Sequence, residues 1–144
     1  MAIRIGSEGE FLLLSDEYEG SSTRSDGGQL SWIHAELSLS HLRASTKVGI
    51  VWGVDASLSE FFDDLAKNWR GWKGAKKWEA YEGGLGLSCT SDRLGHITVT
   101  VELREGSPER WLVRGEVPLE AGQLERLATE MRAFYSYRVR GGRA

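Results

Sequence analysis

Long stretches in which apolar and polar residues alternate constrain this chain more than any other feature. Between Leu30 and Leu42, Ile33, Ala35, Leu37 and Leu39 alternate with Trp32, His34, Glu36, Ser38 and Ser40. Successive side chains of an extended strand point to opposite faces, so the pattern specifies a half-buried strand of the antiparallel kind. The same period returns in Val48, Ile50, Trp52 and Val54, with Gly49, Val51 and Gly53 facing the other way, and the two runs read as one long hairpin. A third run sets Ile97, Val99, Val101 and Leu103 against His96, Thr98, Thr100 and Glu102. It is flanked by a strand over Trp78–Cys89, with Leu85, Leu87 and Cys89 in phase, and by Trp111, Val113, Gly115 and Val117, which makes a meander. Two shorter strands, Ile3/Ile5 and Phe11–Leu14, surround the turn Ser7-Glu8-Gly9. The polar, glycine-rich stretch Glu19–Gly28 reads as a mobile loop between strands.

Two segments break the alternation. Ser57-Leu58-Ser59-Glu60 has the form of a capping box, and Leu58, Phe61, Phe62, Leu65 and Trp69 then fall on one helical stripe, which predicts a helix over 57–69 ended by Gly71 and Gly74. Pro118 opens a second helix, over 120–136, whose Leu124, Leu127, Ala128, Met131, Phe134 and Tyr135 again share a face. Strands outnumber helices and no strand-helix-strand alternation calls for a parallel sheet. The expected fold is α+β: a curved antiparallel sheet of about six or seven strands with the two amphipathic helices on one face. Residues 1–137 form one domain in this reading, and 138–144 a basic tail.

Composition narrows the class. A chain of 144 residues can bury roughly 70% of its unfolded surface, enough for a core without staples, and the lone Cys89 excludes an internal disulfide framework. The net charge of -3 argues against a surface given over to phosphate backbones. That total conceals a split: residues 1–66 carry 11 acids and 4 bases, residues 67–144 10 acids and 14 bases. The start of the chain lacks a signal-peptide pattern and no apolar run approaches membrane-spanning length, so a soluble, cytoplasmic protein without a membrane role is expected.

Groups that could carry chemistry are few. Motifs for dinucleotides, phosphate loops, zinc proteases, serine hydrolases and redox CxxC pairs are all missing, so no catalytic residue, metal ligand or cofactor is assigned. His34, Glu36 and His96, with Glu102, would converge on one sheet face if their strands were neighbours. The bland alternative is a set of solvated face residues. Cys89, in phase with Leu85 and Leu87, reads as a buried structural thiol. Segment 67–78 packs five bases and three Trp into 12 residues with no acid, and Arg70, Trp72, Lys73, Lys76 and Lys77 are its candidates for stacking and phosphate contact. Core-edge packing of the Trp residues, with the bases satisfying the end of the helix, is the favoured reading of it, ahead of a protein-partner patch. Glu8, Glu10, Asp16, Glu17, Glu19 and Asp26 form an acidic rim able to steer a basic partner, whereas Glu60, Asp63 and Asp64 suit a helix N-terminus.

The pattern Gly71-Trp72-Lys73-Gly74-Ala75-Lys76-Lys77-Trp78-Glu79, of the form GWxGxKxWE, is followed by Leu94-Gly95-His96 and Val99–Leu103 and preceded by Phe61-Phe62-Asp63-Asp64. Over about residues 48–136 this resembles an actinobacterial family of domains of unknown function. The order of sheet, helix, meander and final helix is also similar to that of small immunity proteins that neutralise polymorphic bacterial toxins. Neither resemblance implies catalytic residues; the second implies a binding role, with a toxin as one kind of partner.

A non-enzymatic protein-binding domain, of immunity or accessory type, is therefore the expected function. It would grip its partner through the acidic rim or an open sheet face bearing Trp32, His34, Glu36, His96, Thr98, Thr100, Glu102 and Arg114. The alternatives are a small-ligand or hydrolytic enzyme with a His/Glu site on that face, and nucleic-acid binding through segment 67–78, the less favoured partner class. Exposed strand edges leave a homodimer open.

Overall fold

The computed structural model describes residues 1–16, 21–23, 29–52, 57–106 and 108–139. Nine strands, two helices and a short 3-10 turn lie among them. The first sheet holds β1 (Ala2–Gly6), β2 (Phe11–Ser15), β3 (Ser21–Thr23), β4 (Gln29–Leu39) and β5 (Leu42–Trp52). After α1 (Ser57–Lys67) the second sheet follows as β6 (Lys76–Glu79), β7 (Leu85–Ser91), β8 (His96–Glu105) and β9 (Trp111–Glu120), and the turn at 121–123 leads into α2 (Leu124–Val139).

All pairing is antiparallel. β5 runs along one whole edge of β4, from Gln29↔Trp52 to Leu39↔Leu42, while β2 and β3 take successive parts of its other edge. The first sheet is thus four strands wide, with β3 continuing the line of β2. His41 closes the β4–β5 hairpin with φ 63, a left-handed conformation that few residues other than glycine accept. The second sheet is a plain meander, β6-β7-β8-β9.

The single curved sheet of six or seven strands expected from the sequence is corrected to two sheets. Every strand before α1 pairs only within the first sheet, and every strand after it only within the second. Alternation specifies which face of a strand is buried but not which strand lies beside it. Here the apolar faces of both sheets drain into one core, together with Leu58, Phe62 and Leu65 of α1 and Leu124, Leu127, Met131 and Phe134 of α2. The sheets approach closely at β9: a Cβ at Gly115 would lie 2.5 Å from Leu39 Cδ1.

Four local expectations are also corrected. Ser21–Thr23, inside the predicted loop, forms β3; the rest of that loop, 19–20 and 24–28, lies outside the described residues. The strand predicted over Trp78–Cys89 is two, separated by a turn in which Gly83 and Gly84 take positive φ and the Gly83 N–H donates to the Ala80 carbonyl at 2.8 Å. Pro118 does not open a helix. It lies in β9 opposite Thr98, on an edge strand where a missing N–H breaks no ladder bond. Finally, α1 stops at Lys67, because the Asn68 amide caps the Asp64 carbonyl at 2.8 Å and the chain turns away, leaving Trp69 out of the core at 54% exposed. The Ser57 side chain of the capping box, Val54 and the end of the basic tail, 140–144, lie outside the described residues.

Candidate functional site

The alternation of β8 buries Ile97, Val99, Val101 and Leu103 and leaves His96, Thr98, Thr100, Glu102 and Arg104 on the outer face of the second sheet. Cross-strand register lays polar groups in rows over that face. Lys77, Ser88, Thr100 and Glu116 form one row, and Glu79, Gly86, Glu102 and Arg114 the next. Gly86 has no side chain to fill the space between Glu79 and Glu102, so the face is hollowed there into an open groove of about 600 Å³. Thr100, Glu102, Arg114 and Lys77 line it, joined by Glu79, Ser88 and Arg104.

An ion network holds the groove in shape. Arg114 Nε donates to Glu102 Oε2 at 2.8 Å; Arg104 donates to Glu102 Oε1 at 2.8 Å and to Glu79 Oε1 at 2.9 Å, and its Nε lies 3.6 Å from Glu109. Arg114, aided by Arg104, holds the Glu102 carboxyl below the usual carboxylate range although partial burial opposes this. Glu79, and then Glu102, raise the Arg104 guanidinium above its ordinary value. These groups are fixed in their charged forms. Their worth is orientation, since partly exposed pairs add little stability.

The other sequence candidates do not join this groove. Trp32, His34 and Glu36 lie on β4 in the first sheet, so the convergent His34/Glu36/His96 site is corrected: its strands belong to different sheets. Glu36 faces Arg43 at 3.6 Å, His34 stands opposite Lys47, and the Lys47 ammonium sits 4.6 Å above the Trp32 ring. Thr98 shares the outer face between Thr90 and Pro118, outside the groove lining. Of the acidic rim, Glu17, Glu19 and Asp26 lie outside the described residues. No cluster of three or more His, Cys, Asp or Glu able to hold a metal ion occurs among the described residues.

His96 serves the β7–β8 turn. Asp92 Oδ1 accepts the backbone N–H groups of Leu94 at 2.7 Å and His96 at 3.1 Å, and its Oδ2 meets His96 Nδ1 at 2.7 Å. Asp92 raises the His96 pKa, and the Leu94 amide with His96 lowers that of Asp92. The imidazolium contact therefore supports the fold below the ordinary value of 6.5 and is lost as pH climbs through the raised one. The Asp92 contribution is present above 3.8 and lost as pH falls through its lowered value. In an NMR titration His96 is expected to have a midpoint above 6.5, moving back toward 6.5 in Asp92→Asn; an unchanged midpoint would contradict the contact.

The basic Trp-rich segment separates into unlike parts. Trp72 is buried and its Nε1–H donates to the Cys89 carbonyl at 3.0 Å, and Trp78 is buried as well. Neither ring is open to a stacked base. Lys76 pairs with Asp64 at 2.9 Å, Lys77 lines the groove, and Arg70 and Lys73 are exposed. Cys89 is buried and desolvation pushes its thiol up to about 12, which keeps it protonated and unreactive. Sequence reasoning missed Arg104, Glu79, Ser88 and Gly86. Extending the β8 alternation by two residues reaches Arg104; the other three depend on the split into β6 and β7 and on their register.

A family model described as "Family of unknown function (DUF6228)" matches residues 5–138, including most of the first sheet as well as the GWxGxKxWE segment. No curated protein matches the sequence. Among solved structures, the "Crystal Structure of WHY3 from Arabidopsis thaliana" aligns with a TM-score of 0.47 and 5% identity over 92% of this chain and 84% of that one.

Proposed function

The chain belongs to this family of unknown function, and we propose that it is a protein-binding domain, of the immunity or accessory kind, that grips its partner on the outer face of the second sheet. The observation that carries this reading is the groove whose floor is a pre-ordered network of Glu79, Glu102, Arg104 and Arg114. Charges of both signs fixed in register favour recognition of a complementary protein surface, because they reject misaligned partners and align the right one before contact. The same network disfavours acid-base catalysis. Glu102 is held low and Arg104 high, so neither is poised to exchange protons near neutral pH. Burial of Trp72 removes the stacking residue on which the nucleic-acid alternative relied.

Affinity capture with the immobilised chain, from lysate of its host and from purified products of adjacent genes, tests this reading against the Arg114→Glu variant. The Arg114 side chain is 63% exposed, so the variant is expected to fold, while a carboxylate there sets like charges against Glu102 and any partner acid. A partner held by the natural chain is expected to bind Arg114→Glu at least about tenfold more weakly. Equal retention by both proteins, or no partner from either source, would overturn the proposal.

A further inference from the structure

A second surface stands apart from the groove, on different elements. Where α1 ends, Trp69 forms one wall of a cleft of about 760 Å³ between the helices, floored by Ala66, Ala121, Gly122 and Ala128. The β7–β8 turn adjoins it. The Ala121 N–H donates to the Gly95 carbonyl at 2.9 Å, and Gly71 packs so tightly on Arg93 that a Cβ there would lie 2.8 Å from Arg93 Cγ. Leu94, 80% exposed, therefore belongs to the same end of the molecule as Trp69.

Charge on this end is unbalanced. Asp63 is engaged by Arg132, Asp64 by Lys76 at 2.9 Å and Asp92 by His96 at 2.7 Å. Lys67, Arg70, Lys73 and Arg93 have no carboxylate within ion-pair distance among the described residues. Arg70 instead lies over the Trp69 ring, 5.2 Å from its centre. Glu125, on the α2 side, is the one lining acid without a cation.

We infer that this cleft docks an acidic segment of a partner protein, which seats one apolar side chain between Trp69 and the alanine floor and lays its carboxylates on Lys67, Arg70 and Arg93. Trp and Arg are the side chains most enriched at interface hot spots, and here Arg70 lies over the exposed Trp69 ring. A nucleic-acid strand fits less well. It needs successive stacking platforms, whereas Leu94 and the small-residue floor offer aliphatic surface, and Glu125 would face a phosphate.

The test uses the full isotope-labelled chain and a synthetic peptide of about a dozen residues, Asp and Glu throughout except for one central Leu, followed by NMR shifts. Comparators are the same peptide with Gly for Leu, a Lys-flanked version and an oligo-dT of similar length. The Leu peptide is expected to shift residues 66–71, 93–95 and 121–132, with affinity falling about tenfold as salt rises from about 50 to about 300 mM. Trp69→Ala and Arg70→Glu/Arg93→Glu, all at exposed side chains, are each expected to weaken it at least about tenfold. Equal binding of the Gly peptide, tighter binding of oligo-dT at this site, or no shift here at millimolar peptide would overturn the inference. Because the groove residues play no part in it, each such result leaves the sheet-face reading to be judged by its own variant.

Discussion

Truncating Phe62 to alanine is expected to lower the stability of the fold by about 3–5 kcal/mol, the range for emptying a buried aromatic site. The side chain is 0% exposed and is among the largest fully buried groups in the molecule. Its ring meets the edge of Phe61 at 5.7 Å and 89°, and Leu58 and Leu65 share its stripe on α1. The void would lie inside the core shared by both sheets and both helices. Against a total stability of about 5–15 kcal/mol for a domain of this kind, such a loss moves the urea midpoint by a large fraction of its value. Chemical unfolding followed by far-UV circular dichroism measures it. A loss below about 1 kcal/mol would mean that α1 is not anchored as described.

Gly6→Ala is expected to be nearly as damaging for a different reason. Gly6 ends β1 with φ +122, and a Cβ there would stand 2.4 Å from the Glu10 carbonyl oxygen and 2.7 Å from Val117 Cγ1. The first obstacle is backbone and cannot rotate away. Strain at a conformation reserved for glycine costs roughly 1–3 kcal/mol, and overpacking adds a similar amount. Gly9→Ala, three residues on, meets nothing within 4 Å and serves as the matched control, expected to change stability by less than about 0.5 kcal/mol. Equal midpoints for the two variants would refute the argument.

These two sites differ in how plainly the sequence announces them. Phe62 is visible at once, because helical periodicity and a polar opposite face require it to point inward. Gly6 is not, since its need for glycine arises from a positive φ against the Glu10 carbonyl and from the approach of Val117 on β9, neither of which a periodic pattern signals. The same division runs through the whole molecule. The inward faces of β4, β5, β7 and β8 and the stripes of α1 and α2 were legible, because each depends on a local period. The separation into two sheets was not, because antiparallel strands with one apolar face can pair with many neighbours. So Thr100, Glu102 and Arg114 could be singled out on a shared face, while His34, Glu36 and His96 were joined across sheets that never meet edge to edge. Trp69 shows the limit at single-residue scale: its spacing continued the stripe, but Asn68 had already closed the helix.

The first strand also lies against the last helix and the last strand, and one core unites all of them. Hairpins such as β4–β5 and the β6–β9 meander join neighbours in sequence and can form quickly, yet the core that both sheets share is complete only when α2 adds Leu124, Leu127, Met131 and Phe134. α2 follows every strand in the chain, so its share of the core is the last to be made. A nascent chain still lacking that helix would leave exposed the part of the core it covers, including β1, against which it packs.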